Sequence, residues 1–458
     1  MMSLSLSERR AFLKYILCGG MGVAALSSMQ MSLLNAAVAQ SSDTSNYKAL
    51  VCVFLYGGND SYNMLRPMEG QSLLEYQTIR QNLAREQALA IFPSNQQIHD
   101  GIGFVPELIG MKTLFDQRRL AIQANVGTLI RPTTKTDIIN KVALLPSDLY
   151  AHNSQQATWQ RGAELNQNNT GSTGWAGRAM DLLQSNLNAP FIENVSLTGH
   201  NLWQSGMNTS AYHVNSETID TLKIYQHHAY ASLRKPLLEQ HIYEMTFSHP
   251  LAQSYHHTVK SAEDNAQALI GDLSLLAPLE IDIPSNNALA AQLARVTDLI
   301  RLGKQQGLSR QVFFVGLGGW DTHNNQGANH PQLLTLLNDA LFYFYQTHLA
   351  IGVENEVVSF TMSDFGRTLM PNGDGTDHGW AGHQIILGGS VQGDLYGFLP
   401  SSTLTNEHAL NGGRMIPSTS SEQMFASLAR WYGVAEGQME DLFPNLQYFD
   451  QDIDYFSV

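Results

Sequence analysis

From Lys48 to Tyr56 the chain reads KALVCVFLY, a near-continuous apolar run closed by Gly57-Gly58. Such a run, rich in β-branched and aromatic side chains, predicts a strand covered on both faces, as in a parallel sheet. Similar short runs lie at Leu120–Val126, Val312–Leu317, Val357–Met362 and Gln384–Leu387. Between them the apolar spacing turns helical. Pro106–Asp116 sets Leu108, Met111, Leu114 and Phe115 along one face, and Trp175–Leu187 and Leu333–Tyr345 follow the same period. Strands alternating with helices predict an α/β fold, a large, doubly wound, mostly parallel sheet flanked by helices. From about residue 216 to 302 the pattern is mainly helical, broken by a Pro-containing stretch at Leu276–Pro284. That stretch predicts a helical middle segment inserted in a single α/β domain over 40–458, since no Pro/Gly/Ser-rich linker divides the chain.

The first residues read differently. Glu8-Arg9-Arg10-Ala11-Phe12-Leu13-Lys14 precedes a Gly/Ala-rich apolar run, and Ala37-Val38-Ala39 supplies the small residues of a cleavage site. Paired arginines followed by Phe and Leu predict a twin-arginine signal over residues 1–39, with the translocase as export partner and a periplasmic or secreted destination. The run is too short and too rich in Gly and Ser for a stable membrane anchor. Cutting after Ala39 leaves 419 residues with a formal charge of −16 and one cysteine, Cys52, which has no partner for an intramolecular disulfide.

Charge narrows the function further. The whole chain carries 26 Lys+Arg against 40 Asp+Glu, and only 14% of its residues are charged. An acidic balance of this kind argues against nucleic acid as a partner. The polar residues gather just after the predicted strands, at the edge where open α/β sheets bind ligands. After the first strand comes Gly57-Gly58-Asn59-Asp60, a turn in which Asp60 offers oxygen to a metal or merely caps the next helix. After Val312–Leu317 comes GGWDTHNN, in which Asp321 and His323 stand two apart and face one way in an extended segment. After Val357–Met362 comes Ser363-Asp364-Phe365-Gly366-Arg367; Arg367 either pairs with Asp364 or holds an anionic substrate. Before Gln384–Leu387 comes TDHGWAGH, with His378 and His383 as ligands or proton donors and Asp377 as a carboxylate orienting a ligand histidine. A weaker cluster, Tyr150-Ala151-His152-Asn153-Ser154-Gln155-Gln156, makes His152 a ligand or base and Ser154 a nucleophile, or is simply a polar loop. No H-E-x-x-H, C-x-x-C, G-x-S-x-G or P-loop motif is present.

The motifs FLYGGND, YAHNSQQ, TGWAGR, GGWDTH, SDFGR, TDHGWAGH and GGSVQGDLYG, behind a twin-arginine leader, resemble the exported bacterial family called domain of unknown function 1501. That family is similar to the alkaline phosphatase and sulfatase superfamily. The resemblance therefore implies an alkaline-phosphatase-like fold with one or two divalent ions at the sheet edge, zinc first, with manganese, iron or calcium as alternatives. It implies Asp60, Asp321, His323, Asp364 and His378 as metal ligands. Ser154 takes the place of the nucleophile, and His383 and Arg367 act in catalysis. Asn59 and His152 contact the substrate, a small anionic ester. Phe365 stands where the phosphatases carry a histidine, so one metal with a water nucleophile is an alternative to the two-metal covalent scheme. The implied activity is an exported metal-dependent hydrolysis of phosphate or sulfate esters. The competing reading is a non-catalytic periplasmic binding or assembly protein that keeps the fold and a structural metal.

Overall fold

Nine strands among the described residues form one sheet, and the apolar runs account for its centre. They are β1 Lys48–Leu55, β2 Leu120–Gly127, β3 Asn194–Ser196, β4 Tyr212–His213, β5 Arg310–Leu317, β6 Val357–Ser363, β7 Gly382–Leu387, β8 Leu395–Tyr396 and β9 Thr419–Ser420. The spatial order is β8-β2-β7-β6-β1-β5-β3-β4, with β9 also paired to β2. β1 lies parallel between β5 and β6, whereas β7 runs antiparallel to both β2 and β6. The sheet is therefore mixed and mostly parallel. The computed structural model describes residues 46–94, 101–162, 172–183, 191–219, 221, 236–237, 239–240, 247–450 and 452–456. The expected signal peptide lies outside them, as does much of the span 216–249.

Side-chain alternation along β1 shows why both faces are covered. Ala49, Val51, Val53 and Leu55 pack into one core with the helices Ile109–Asp116, Ala288–Gln305 and Gln326–Ile351. Leu50, Cys52 and Phe54 face the other core, with Trp175–Leu183 and Ser421–Tyr432. Fully burying each large apolar side chain contributes about 1.5–3 kcal/mol, so both cores hold the sheet. Helices on both faces are the doubly wound arrangement expected. The helical middle is seen as Pro250–Ser274 and Ala288–Gln305, and no helix spans 275–287, where the Pro-containing break was expected. Asp43–Val458 clusters as one compact unit.

Candidate metal centre

Register decides what meets at the sheet edge. Leu55 at the end of β1 lies level with Leu317 of β5 on one side and Ser363 of β6 on the other. The three loops that follow, carrying Gly57–Asp60, Trp320–His323 and Asp364–Arg367, therefore leave the sheet side by side. Gly57 adopts φ +120, and a Cβ there would lie 2.3 Å from the Asp321 amide nitrogen; only glycine lets these two loops close together. A small antiparallel hairpin, Arg367–Pro371 with Thr376–His378, folds back and pairs His378 with Arg367. His152 enters at the start of the helix His152–Arg161.

The side chains then converge. His152 Nε2 lies 3.5 Å from Asp321 Oδ2, and His378 Nε2 lies 3.3 Å from Asp321 Oδ1. One ligand atom from each of His152, Asp321 and His378 falls within 4.8 Å of the others. His323 Nε2 sits 2.8 Å from His378 Nε2 and 3.2 Å from Asp321 Oδ1.

The outer ring nitrogens fix the tautomers. His152 Nδ1 donates to Asp364 Oδ2 at 2.6 Å, the same oxygen that accepts from Gln156 Nε2. His378 Nδ1 donates to the Tyr150 carbonyl at 2.7 Å. Both Nε2 atoms therefore present lone pairs to the same space. His323 Nδ1 lies 3.6 Å from Asp377 Oδ1, which Asn372 also holds. With its Nδ1 proton on Tyr150, His378 Nε2 either accepts from His323 Nε2 at 2.8 Å or shares a cation with it. Histidines backed by carboxylates and carbonyls are the usual surroundings of a divalent ion, and the donor set of imidazoles with one carboxylate suits zinc.

Electrostatics favours the same form. Burial pushes the Asp321 carboxyl up, but the hydrogen bond and charge of Arg367, with His323 and His152, hold it below the ordinary carboxylate range. Burial pushes the His378 imidazole down against its Tyr150 bond, and the charges of Arg367, His152 and His323 add to the lowering. The rings pack as a group, Phe365 lying 4.5 Å from His378 and 4.9 Å from His152 between centroids.

Several expected residues do other work. Asp60 is fully buried and forms an ion pair with Arg80, while its second oxygen accepts from Gln326 Nε2 at 2.5 Å; its carboxylate is already satisfied. Asp364 touches the group through His152 and also accepts from Gln156 Nε2 at 2.9 Å and the Gly57 amide at 3.2 Å. It is thus placed to orient a ligand. Arg367, also fully buried, donates to the carbonyls of Gly57, Gly58, Trp320 and Thr376 and to Asp321 Oδ1 at 2.5 Å. All of its nitrogens are engaged, so it braces the loops and is not free for substrate. Ser154 Oγ donates to Asp148 Oδ2 at 3.1 Å. His383 lies in the interior, accepting from the Asn125 amide and packed on Tyr62, and burial lowers its pKa to about 3. Asn59 is buried too, its Oδ1 accepting from His330 Nε2 at 3.1 Å.

Within the Tyr150–Gln156 cluster the sequence assigns no role to Gln156 or the Tyr150 carbonyl, and nothing in it points to Arg414. Arg414 Nε donates to the His378 carbonyl at 2.9 Å, Nη1 to the Asn411 carbonyl at 3.0 Å, and the guanidinium lies 5.1 Å above the Tyr150 ring. It forms no ion pair among the described residues, which leaves a cation at the rim.

Fold and site together define an α/β protein with a cluster of histidines and carboxylates that could hold a metal ion at the carboxyl edge of its sheet. The chain belongs to the family described as Protein of unknown function (DUF1501), whose family model matches residues 47–434. Among curated proteins no relative matches. Among solved structures it is similar to Ps i-CgsB in complex with k-i-k-neocarrahexaose, at 8% identity and TM-score 0.36, covering 88% of this chain and 76% of that one. It is also similar to a mutant of the alkaline phosphatase PafA, at 13% identity and TM-score 0.27, covering 70% and 64%. An alkaline phosphatase from the Antarctic bacterium TAB5 gives 12% identity and TM-score 0.26, covering 76% and 93%. TM-scores of this size carry no function from one chain to another.

Proposed function

We propose that this chain is an exported, metal-dependent hydrolase of phosphate or sulfate esters. The observation that carries the reading is the convergence of His152, Asp321 and His378 within 4.8 Å, with the two imidazole Nδ1 protons already committed to Asp364 and Tyr150. A bound divalent ion, zinc by its donor set, would polarise an ester oxygen and lower the pKa of a water. His152, Asp321 and His378 would hold it, and His323 stands ready as a fourth ligand or as a proton carrier. Arg414 supplies the positive charge for an anionic substrate, the role first expected of Arg367. With Ser154 turned to Asp148, water is the nucleophile in this reading.

The non-catalytic alternative is disfavoured by exposure. Structural metal sites are closed, whereas catalytic ones keep an open position; here the side chains of Asp321 and His323 are 46% and 41% exposed. The test is hydrolysis by zinc-loaded protein of phosphomonoester, phosphodiester and sulfate-ester panels. Turnover lost in His378→Ala supports the reading. No turnover on any panel contradicts it.

A further inference from the structure

Between β2 and the helix carrying His152 the chain makes a long excursion over the surface, in which the helix Lys135–Ile139 is the regular element. The excursion has an inner and an outer side. Ile138 and Leu145 pack inward on Leu129, Leu149, Trp380 and Ile416. Ile139, Val142 and Leu144 point outward, 67%, 61% and 50% exposed. The inner contacts anchor the segment, so the outer aliphatics are held in water by a fixed backbone.

Charge on this segment is slightly basic, whereas the chain as a whole has a formal net charge of −14. Arg131, Lys135 and Lys141 stand within it; none forms an ion pair among the described residues, and only the charge of Arg131 is felt by a nearby acid, Asp137. Arg131 reaches the Val142 carbonyl and Lys135 the Leu404 and Asn406 carbonyls. Its two acids are engaged locally: Asp137 caps the helix, accepting from the Thr134 amide and hydroxyl at 2.9 and 2.6 Å, and Asp148 accepts from Ser154 Oγ at 3.1 Å. The segment ends at Tyr150, whose carbonyl holds His378, and so borders the metal centre.

We infer that the face formed by Arg131, Lys141, Ile139, Val142 and Leu144 docks reversibly on an anionic lipid surface. Unpaired basic residues beside exposed aliphatics are the composition of interfacial segments, where charge attracts and the apolar tips enter the headgroup region. Exposed aliphatics beside basic side chains suit a lipid surface, which offers negative headgroups over an apolar layer. The acidic remainder of the chain is repelled by the same surface, so binding turns the centre's edge toward the bilayer. No helix among the described residues is long and apolar enough to cross a membrane, so the contact is peripheral.

The mature chain, without added metal or ester, is sedimented with vesicles of phosphatidylglycerol or of phosphatidylcholine. Binding to the first and not the second is expected. Arg131→Glu with Lys141→Glu should weaken it at least about tenfold, given about fivefold per basic residue near such a surface. Ile139→Ser with Val142→Ser should weaken it too, with the melting temperature of both variants unchanged. Absence of phosphatidylglycerol binding, or equal binding by the charge-reversed variant, overturns the inference. Binding to soluble polyglutamate but not to vesicles also overturns it, in favour of an acidic protein partner. Because no turnover is read, this outcome is separate from that of the hydrolase reading.

Discussion

Asp364, buried at the end of β6, accepts the Nδ1 proton of His152 at 2.6 Å. The pair spans the sheet edge, joining the loop after β6 to the helix start at residue 152, and it leaves Nε2 of His152 bare beside Asp321. A carboxylate behind an imidazole fixes the ring and raises its basicity toward a cation.

Replacing Asp364 by Asn keeps the size but removes the charge and one acceptor. Zinc affinity should fall about 10- to 100-fold without being abolished, as for other groups behind ligand histidines. Competition titration against a chelator of known affinity measures it. An unchanged affinity would detach Asp364 from the centre.

The two arginines should separate cleanly. Arg367→Gln leaves buried carbonyls of Gly57, Gly58, Trp320 and Thr376 without donors and should cost about 3 kcal/mol of stability or more. Arg414→Gln removes a partly exposed cation and should leave the melting temperature nearly unchanged. If the hydrolase reading holds, it lowers kcat/KM for anionic esters about 10-fold or more, the value of one charge-assisted hydrogen bond. Denaturation curves and steady-state kinetics of both variants check the contrast.

How much of this was legible beforehand depends on the range of each interaction. The strands of the sheet centre were readable because an apolar run records its own burial on both faces. Asp321, His323 and His378 stood out in the sequence because they lie just after or just before a predicted strand, and the structure brings the three side chains together. Asp60 and Asp364 carried the same local signature, an acid just past a strand, yet neither enters the group of converging ligand atoms. What separates them is a distant partner, Arg80 for one and His152 for the other. No periodicity announces a partner 212 positions away. Arg367 misled for the same reason, since its five acceptors are mostly backbone carbonyls from other loops.

Three interior histidines set an acid limit on the fold. Burial lowers the pKa of His330 to about 4 and of His348 and His383 to about 3, against about 6.5 in an unfolded chain. Below pH 6.5 the unfolded state binds more protons, so stability is lost as pH falls toward those folded values. The slope reaches about 4 kcal/mol per pH unit with three such groups. Urea midpoints recorded from pH 7 to 4 should drop steeply, and a flat profile would contradict the burial of these rings.

Glu422 acts at the other end. Burial raises its pKa to about 8 despite the hydrogen bonds from Asn445, so the folded state holds a proton that the unfolded state releases near the ordinary glutamate value. Stability is therefore lost as pH rises from about 4.5 through 8, by about 1.4 kcal/mol per pH unit. Glu422→Gln should flatten that decline in urea midpoints between pH 6 and 9.

The most direct test of the account is the metal content of the purified mature chain after zinc loading and gel filtration. The centre predicts about one zinc per chain, retained in Asp60→Asn and Ser154→Ala and lost in His378→Ala and in Asp321→Ala. Zinc bound equally by all five proteins, or by none of them, would contradict it.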